Sequence, residues 1–135
     1  MKAPGIIRIV PVTLIMGTIF FLSHQPGTDF QLPPLPGLDK LGHGVLYGLL
    51  AAAALYAVPR KTLRVKSGRA GLLIILFCLL YGVTDEYHQS FIPGRVASIG
   101  DLMADGTGAA VLVFLWLRYF SHSADHKDLT RILNR

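Results

Sequence analysis

Polar residues able to do chemistry are concentrated in one stretch of the chain, residues 81–110, between two strongly apolar segments. Carboxylates grouped with an imidazole, an amide and a guanidinium could act as general acids or bases, bind a cation or hold a polar ligand. Placing ionisable side chains at a membrane boundary is unfavourable in free energy, so a cluster of them predicts a functional site. Its members are Asp85, Glu86, His88, Gln89, Arg95, Asp101 and Asp105.

The apolar segments that surround these residues predict a membrane protein. The chain has 135 residues, which predicts a single domain over 1–135, and its mean hydropathy is +0.49. A bilayer core of about 30 Å needs roughly 20 helical residues. The apolar segments lack the polar faces of a soluble bundle. We therefore predict an all-α polytopic membrane protein, a four-transmembrane-helix bundle with spans at about 6–22, 41–58, 70–88 and 102–120.

Basic residues indicate how the four spans are oriented. Eleven of the 13 Lys and Arg residues fall in the N-terminal segment, the 59–69 loop and the C-terminal tail. Because Lys and Arg favour the cytoplasmic side, we expect these three regions, and both termini, to be cytoplasmic. This asymmetry explains the net charge of +5 without any binding of nucleic acid. The single cysteine, Cys78, lies in mid-span, which excludes an internal disulfide and favours a buried apolar role.

Three polar residues on separate spans fall at one depth when each span is placed with its inner end at the cytoplasmic interface. His43, Asp85 and Asp105 then each lie roughly 6 Å inside the outer boundary. Polar groups at that depth avoid lipid by facing one another. The small residues Gly44 and Gly48 in the second span favour close packing between helices of the chain.

The predicted outer layer is strongly acidic. Its five carboxylates, those of Asp39, Asp85, Glu86, Asp101 and Asp105, face only the positive charges of Lys40 and Arg95. A net negative charge near low dielectric requires protonation, a charged histidine or a bound cation. A divalent cation is therefore a possible cofactor: carboxylates alone suit Mg²⁺ or Ca²⁺, and an imidazole admits Zn²⁺ or Mn²⁺. The candidate metal ligands are His43, Asp85, Glu86, Asp101 and Asp105.

Three sequence motifs resemble the VanZ-like family of small bacterial integral membrane proteins. The first is FFLSHQPG, at the end of the first span. The second is LDKLGHGVLYGLL, which contains Asp39, Lys40, His43 and Tyr47. The most specific is DEYHQSFIPGRVASIGDLMAD, which follows a D-E-x-x-Q-x-F-x-P-G-R-x-x-x-x-x-D pattern. The resemblance covers most of the chain.

The resemblance implies a role in the cell envelope, at the bacterial cytoplasmic (inner) membrane. The family is associated with resistance to teicoplanin-type glycopeptide antibiotics, and the resemblance supplies no reaction. One position departs from the family pattern: Asp105 stands where the family commonly has Asn. An ionised Asp cannot donate a hydrogen bond, so the change should weaken binding of an anion and strengthen binding of a cation.

Several functions are compatible with these residues. The first is recognition, without catalysis, of an envelope lipid, a peptidoglycan precursor or a glycopeptide, with Lys40 and Arg95 holding an anionic group. The second is a membrane-embedded, metal-assisted hydrolase or transferase acting on a lipid-linked phosphate or a peptide, with Glu86 and His43 as candidate catalytic groups. An ion-coupled carrier and a purely structural network remain open, as does enzymatic activity itself. The predicted ligand-binding residues are Lys40, His43, Asp85, Glu86, Gln89, Arg95, Asp101 and Asp105.

Overall fold

The protein is helical throughout the part that the structure describes. The computed structural model describes residues 5–27 and 37–133, with side chains up to residue 119. A 3₁₀ turn, Gly5–Arg8, precedes five α-helices. These are α1 (Val10–Ser23), α2 (Leu38–Ala57), α3 (Arg60–Val65), α4 (Ser67–Gln89) and α5 (Ile99–Leu133). The predicted irregular, proline-rich connector falls largely at 28–36, outside the described residues.

Proline and glycine define several helix boundaries. Pro11 lies in the first turn of α1, where a missing N–H is tolerated. Gly37 precedes α2 with a φ of 81°, a left-handed conformation that favours glycine. Val58 is extended because it precedes Pro59, and α2 therefore ends at Ala57. The 59–69 segment, expected as a loop, contains the short α3, and α5 continues past the predicted span because the following polar residues include neither proline nor glycine.

Within the described residues, three segments are long and apolar enough to cross a bilayer: Ile6–Ser23, Ser67–Gln89 and Ile99–Tyr119. The prediction of an all-α membrane protein is confirmed. Helix α2 has 20 residues, enough for a span, but its first turns contain charged and polar side chains. Leu41, Val45 and Leu49 form an exposed apolar stripe along it, as a lipid-facing helix would. The fourth span nevertheless stays a prediction.

Helix α2 packs most extensively on α5, and their contact depends on small residues. A Cβ added to Gly108 would overlap the carbonyl oxygen of Gly44, and one added to Gly48 would lie 3.4 Å from the carbonyl oxygen of Gly108. The predicted use of the α2 glycines in packing within the chain is confirmed. The apolar core lies alongside this contact, and it encloses Cys78, as predicted.

The two ends of the bundle have opposite charge. Arg8 lies over the ring of Tyr56 at 5.7 Å, at the end of α2 from which the basic segment containing α3 begins. The buried acids Asp85, Glu86, Asp101 and Asp105 lie at the opposite end, near the start of α2. About 20 residues of α2, roughly 30 Å, separate these ends.

Candidate functional site

One cluster of polar side chains occupies the acidic end of the bundle, and we call it the polar cluster. It is assembled from the start of α2, which is distant in sequence, and from the end of α4 and the start of α5, which are joined by a short turn. Its carboxylates interact electrostatically with His43 and with one another. The polar cluster consists of Lys40, His43, Tyr47, Asp85, Glu86, Gln89, Asp101 and Asp105.

His43 and Asp105 form the central contact of the polar cluster. His43 Nδ1 lies 3.0 Å from Asp105 Oδ1, and the Asp105 side chain is fully buried. The other oxygen of Asp105 lies beside α4 at Gly82, where an added Cβ would approach it within 2.8 Å. Glycine at position 82 therefore makes room for the carboxylate between α4 and α5.

Glu86 connects the end of α4 with the start of α5. Its Oε2 accepts a hydrogen bond from the backbone N–H of Ser98 at 2.6 Å, and Ser98 Oγ accepts one from the N–H of Gly100 at 3.1 Å. Ser98 thus caps α5 while Glu86 lies at the positive end of that helix. Sequence reasoning missed Ser98, although its spacing to Asp101 is that of a helix-start motif.

Lys40 forms the exposed side of the polar cluster. Its Nζ donates to Asp101 Oδ1 at 3.1 Å and to Asp39 Oδ2 at 2.9 Å. The Lys40 side chain is 45% exposed and that of Asp101 only 12%. This ion pair joins the first turns of α2 and α5 and balances the charge of Asp101.

Asp85 and Gln89 face α1 instead of the His43–Asp105 pair. Gln89 Nε2 donates to Asp85 Oδ2 and to Ser23 Oγ, each at 3.1 Å, and all three residues are buried. The equal depth predicted for His43, Asp85 and Asp105 is compatible with these positions. The carboxylate that joins the pair from α4 is however that of Glu86, the neighbour of Asp85.

Three buried oxygen atoms of the polar cluster have no hydrogen-bond partner among the described residues. They are the Tyr47 hydroxyl, Glu86 Oε1 and Asp105 Oδ2. Tyr47 is fully buried, and the charged groups close enough to act on its hydroxyl are Asp85, Asp105 and Glu86. Sequence reasoning weighed Tyr47 mainly as a packing residue. A self-contained structural network would leave fewer such atoms unsatisfied.

Arg95 has a different environment from the one expected. Sequence reasoning predicted that it holds an anionic ligand group or pairs with an acid of the polar cluster. Its Nη2 instead donates to the carbonyl of Leu22 at 2.9 Å and its Nε to that of Gln25 at 3.1 Å. Carbonyls at a helix C-terminus lack partners within the helix and attract cations, which explains this position. Binding of a ligand by the polar cluster does not depend on the predicted role of Arg95, which stays a prediction.

A histidine contact lies beside the Ser23–Gln89 bond. His24 Nδ1 and His88 Nε2 are 3.2 Å apart, and Phe20 packs on the ring of His88. Sequence reasoning gave no signal for His24 and included His88 among the residues able to do chemistry. Nothing in the spacing of the two residues indicates the contact, because it depends on how α1 and α4 dock.

Three of the five predicted metal ligands come together. His43, Glu86 and Asp105 each offer a ligand atom, and these atoms lie within 4.8 Å of one another. Asp85 and Asp101, also predicted as ligands, engage Gln89 and Lys40 instead. One imidazole with two carboxylates is a donor set that suits Zn²⁺ or Mn²⁺ better than Mg²⁺ or Ca²⁺.

The apolar helices and the buried acidic cluster define a multi-pass membrane protein. A model of the VanZ/LLP1 family matches residues 8–121, which include all the helices from α1 to α4 and the membrane-length part of α5. The chain therefore belongs to the VanZ/LLP1 family. No curated protein and no solved structure gives a significant match to it.

Proposed function

We propose that the polar cluster binds the polar headgroup of an envelope lipid or of a lipid-linked cell-wall precursor. In this proposal the protein lies in the bacterial cytoplasmic membrane, with both termini in the cytoplasm and the polar cluster near the outer face. Binding of such a molecule would underlie a role in the response to teicoplanin-type glycopeptides. The segregation of basic residues at the opposite end of the bundle supports this orientation.

One observation carries the proposal: three buried oxygen atoms that lack a partner within the described ranges. A buried polar atom without a partner destabilises a protein by about 1–3 kcal/mol. The Tyr47 hydroxyl, Glu86 Oε1 and Asp105 Oδ2 all belong to one cluster, so a single bound molecule could satisfy them together. Hydroxyl, amide and ammonium groups, or a cation that carries the headgroup, would provide the missing partners.

A lipid-anchored ligand fits the surroundings of the polar cluster. At the same height on the helices, several large apolar side chains are exposed: Leu41 and Val45 on α2, Val83 on α4 and Met103 on α5. A molecule in the outer leaflet could therefore place its headgroup at the polar cluster and its hydrocarbon chains along these exposed faces. The half-exposed Lys40 would lie at the entrance and could contact a phosphate.

Native mass spectrometry of the protein, purified from bacterial membranes in mild detergent, tests the proposal. We expect the wild type to retain an envelope lipid or lipid-linked precursor of defined mass. Glu86→Gln removes a charge that faces the ligand while preserving the acceptor for Ser98, so the retained fraction should fall at least about tenfold. If a glycopeptide antibiotic added to the purified protein binds instead, the antibiotic itself is the ligand, in place of the proposed lipid or precursor.

The matched control is Asp39→Asn, which removes one carboxylate at the same end of the bundle. Asp39 is 55% exposed and pairs with Lys40. This variant should retain the co-purifying molecule as the wild type does. Equal retention by Glu86→Gln, or a wild type that carries only bulk phospholipid, would contradict the proposal.

A further inference from the structure

Three side chains from three helices could coordinate one metal ion. The ligand atoms of His43 on α2, Glu86 on α4 and Asp105 on α5 lie within 4.8 Å of one another. Glu86 is 8% exposed and Asp105 is fully buried. We propose that this triad holds a divalent transition-metal cation, Zn²⁺ or Mn²⁺, and that the headgroup binds through it. The part played by the headgroup rests on the proposed function above.

The unpartnered oxygen atoms point to such a cation. Each carboxylate has one oxygen engaged, Asp105 Oδ1 by His43 and Glu86 Oε2 by the N–H of Ser98. The second oxygen of each is buried and has no partner in the described part of the chain. The Tyr47 hydroxyl, which belongs to the polar cluster but not to the triad, is a third buried atom in the same condition. A cation between the carboxylates would satisfy both at once, and a water or headgroup oxygen bound to it could reach the hydroxyl.

Charge balance also favours a dication. With a neutral imidazole, the ionised Glu86 and Asp105 contribute two negative charges in a buried setting. Lys40, the nearby cation, engages Asp101 and Asp39. A divalent ion would cancel the charge of the triad, which a single proton cannot do.

The triad is close to coordination geometry. A tetrahedral ion with bonds of about 2.1 Å holds its ligand atoms roughly 3.4 Å apart. The ligand atoms of the triad, within 4.8 Å of one another, would have to approach further to reach that spacing. The backbone contact between Gly44 and Gly108 holds α2 against α5 near the triad and limits the need for rearrangement.

The nature of the ligands selects the metal. Mg²⁺ and Ca²⁺ prefer sites made of oxygen atoms, whereas an imidazole nitrogen beside two carboxylates suits Zn²⁺ and Mn²⁺. Three protein ligands leave a coordination position for a further group, as in sites that bind small molecules through the ion. A phosphate or hydroxyl of the headgroup could occupy that position.

Binding of the metal alone to the delipidated, purified protein tests the inference. Titration with Mn²⁺ followed by electron paramagnetic resonance, and with Zn²⁺ followed by calorimetry, should show one ion per chain. We expect His43→Gln and Asp105→Asn each to weaken binding at least about tenfold, as loss of even an outer-shell partner can. Glu86→Gln, which preserves the acceptor for Ser98, provides a third variant should either of the others fail to fold. Asp39→Asn, which changes an exposed carboxylate outside the triad, should bind as the wild type does.

The two proposals can fail independently. Absence of stoichiometric binding, or Mg²⁺ binding unaffected by His43→Gln, would overturn the metal site. A headgroup that is still retained in that case would leave the proposed function standing. Tight metal binding by a protein that retains no envelope molecule would overturn the proposed function and leave the ion site.

Discussion

At the scale of single residues, two neighbouring tyrosines differ in the surroundings of their hydroxyl groups. Tyr81 donates its hydroxyl hydrogen to the backbone carbonyl of Met16 at 2.7 Å, and so joins α4 to α1. Tyr47, whose ring centre lies 6.2 Å from that of Tyr81, has a buried hydroxyl without a partner in the described part of the molecule. The first hydroxyl contributes to the fold, whereas the second is available to a ligand.

Replacing each tyrosine by phenylalanine should separate these roles. Tyr47→Phe removes a hydroxyl that makes no hydrogen bond to the described residues, so thermal stability should stay the same or rise slightly. Tyr81→Phe removes the side-chain hydrogen bond to the Met16 carbonyl and should destabilise the protein by about 0.5–1.5 kcal/mol. The measurement is thermal unfolding in detergent, followed with a thiol-reactive dye that labels the buried Cys78 once the core opens.

Retention of the envelope molecule should show the opposite order. Tyr47→Phe should retain less of it than the wild type, and Tyr81→Phe, when folded, as much. If Tyr47→Phe destabilised the fold as strongly as Tyr81→Phe does, its hydroxyl would be part of a structural network instead.

At the scale of the helices, the position of the polar cluster depends on how closely α2 approaches α5. Gly108 and Gly44 bring the two backbones into contact one turn from the His43–Asp105 pair. A larger residue there would meet backbone atoms, which cannot move aside as a flexible side chain can.

Gly108→Ala should therefore lower stability by about 1–3 kcal/mol, as overpacking does in other well-packed interiors. It should also weaken metal binding, because a wider separation of α2 and α5 moves His43 away from Asp105. Gly42→Ala is the control: an added Cβ at Gly42 meets nothing within 4 Å. That variant should be as stable as the wild type or slightly more so. A tolerated Gly108→Ala would contradict the packing described here.

The turn after α4 attaches the C-terminal end of α1. Gly94 has a φ of 76°, and the N–H of Arg95 donates to the carbonyl of Ile92 at 3.1 Å, which closes a Pro-Gly turn. The N–H of Gly27 donates to the carbonyl of Pro93 at 3.1 Å, so backbone and guanidinium both join the turn to α1.

Arg95→Met should free the C-terminal end of α1 from the turn. It leaves the net charge of the polar cluster unchanged, because Arg95 is not one of its members. We expect faster amide hydrogen exchange at Ser23–Gln25, measured by mass spectrometry, with little change in the middle of α2. Arg95→Lys should restore the bonds only in part, because an ammonium lacks the planar fork that reaches two carbonyls. Unchanged exchange in Arg95→Met would show that the backbone bonds of the turn suffice.

At the scale of the whole molecule, the sequence predicts the helices and the end of the bundle at which the acids gather. Hydropathy and charge suffice for this, because a bilayer imposes length and polarity on each helix. They do not reveal that Glu86 joins His43 and Asp105 while Asp85 faces α1, since both acids are buried on the same turn of α4. The attachment of Arg95 to backbone carbonyls is likewise invisible, because carbonyls carry no sequence signal.

The proposed orientation can be tested with single cysteines in a Cys78→Ala background. Phe91→Cys, in the exposed turn after α4, should react with a membrane-impermeant maleimide in intact cells. Lys61→Cys, on the exposed surface of α3, should react only after permeabilisation, because the basic segment is expected inside. Labelling of both positions from the same side would overturn the topology, and with it the placement of the polar cluster near the outer face.

The buried polar side chains of the described ranges all belong to the acidic end of the bundle. Beyond them, Leu50, Ala51 and Cys78 are fully enclosed, and α2 touches α5 without a gap at Gly44 and Gly108. Among the described residues, no buried polar side chain leads from the site through the apolar core, so the site has no polar path toward the basic end of the bundle. In the proposed orientation, binding at the site would depend on the composition of the external solution and not on that of the cytoplasm. This suits a protein that senses the state of the envelope better than a channel or carrier.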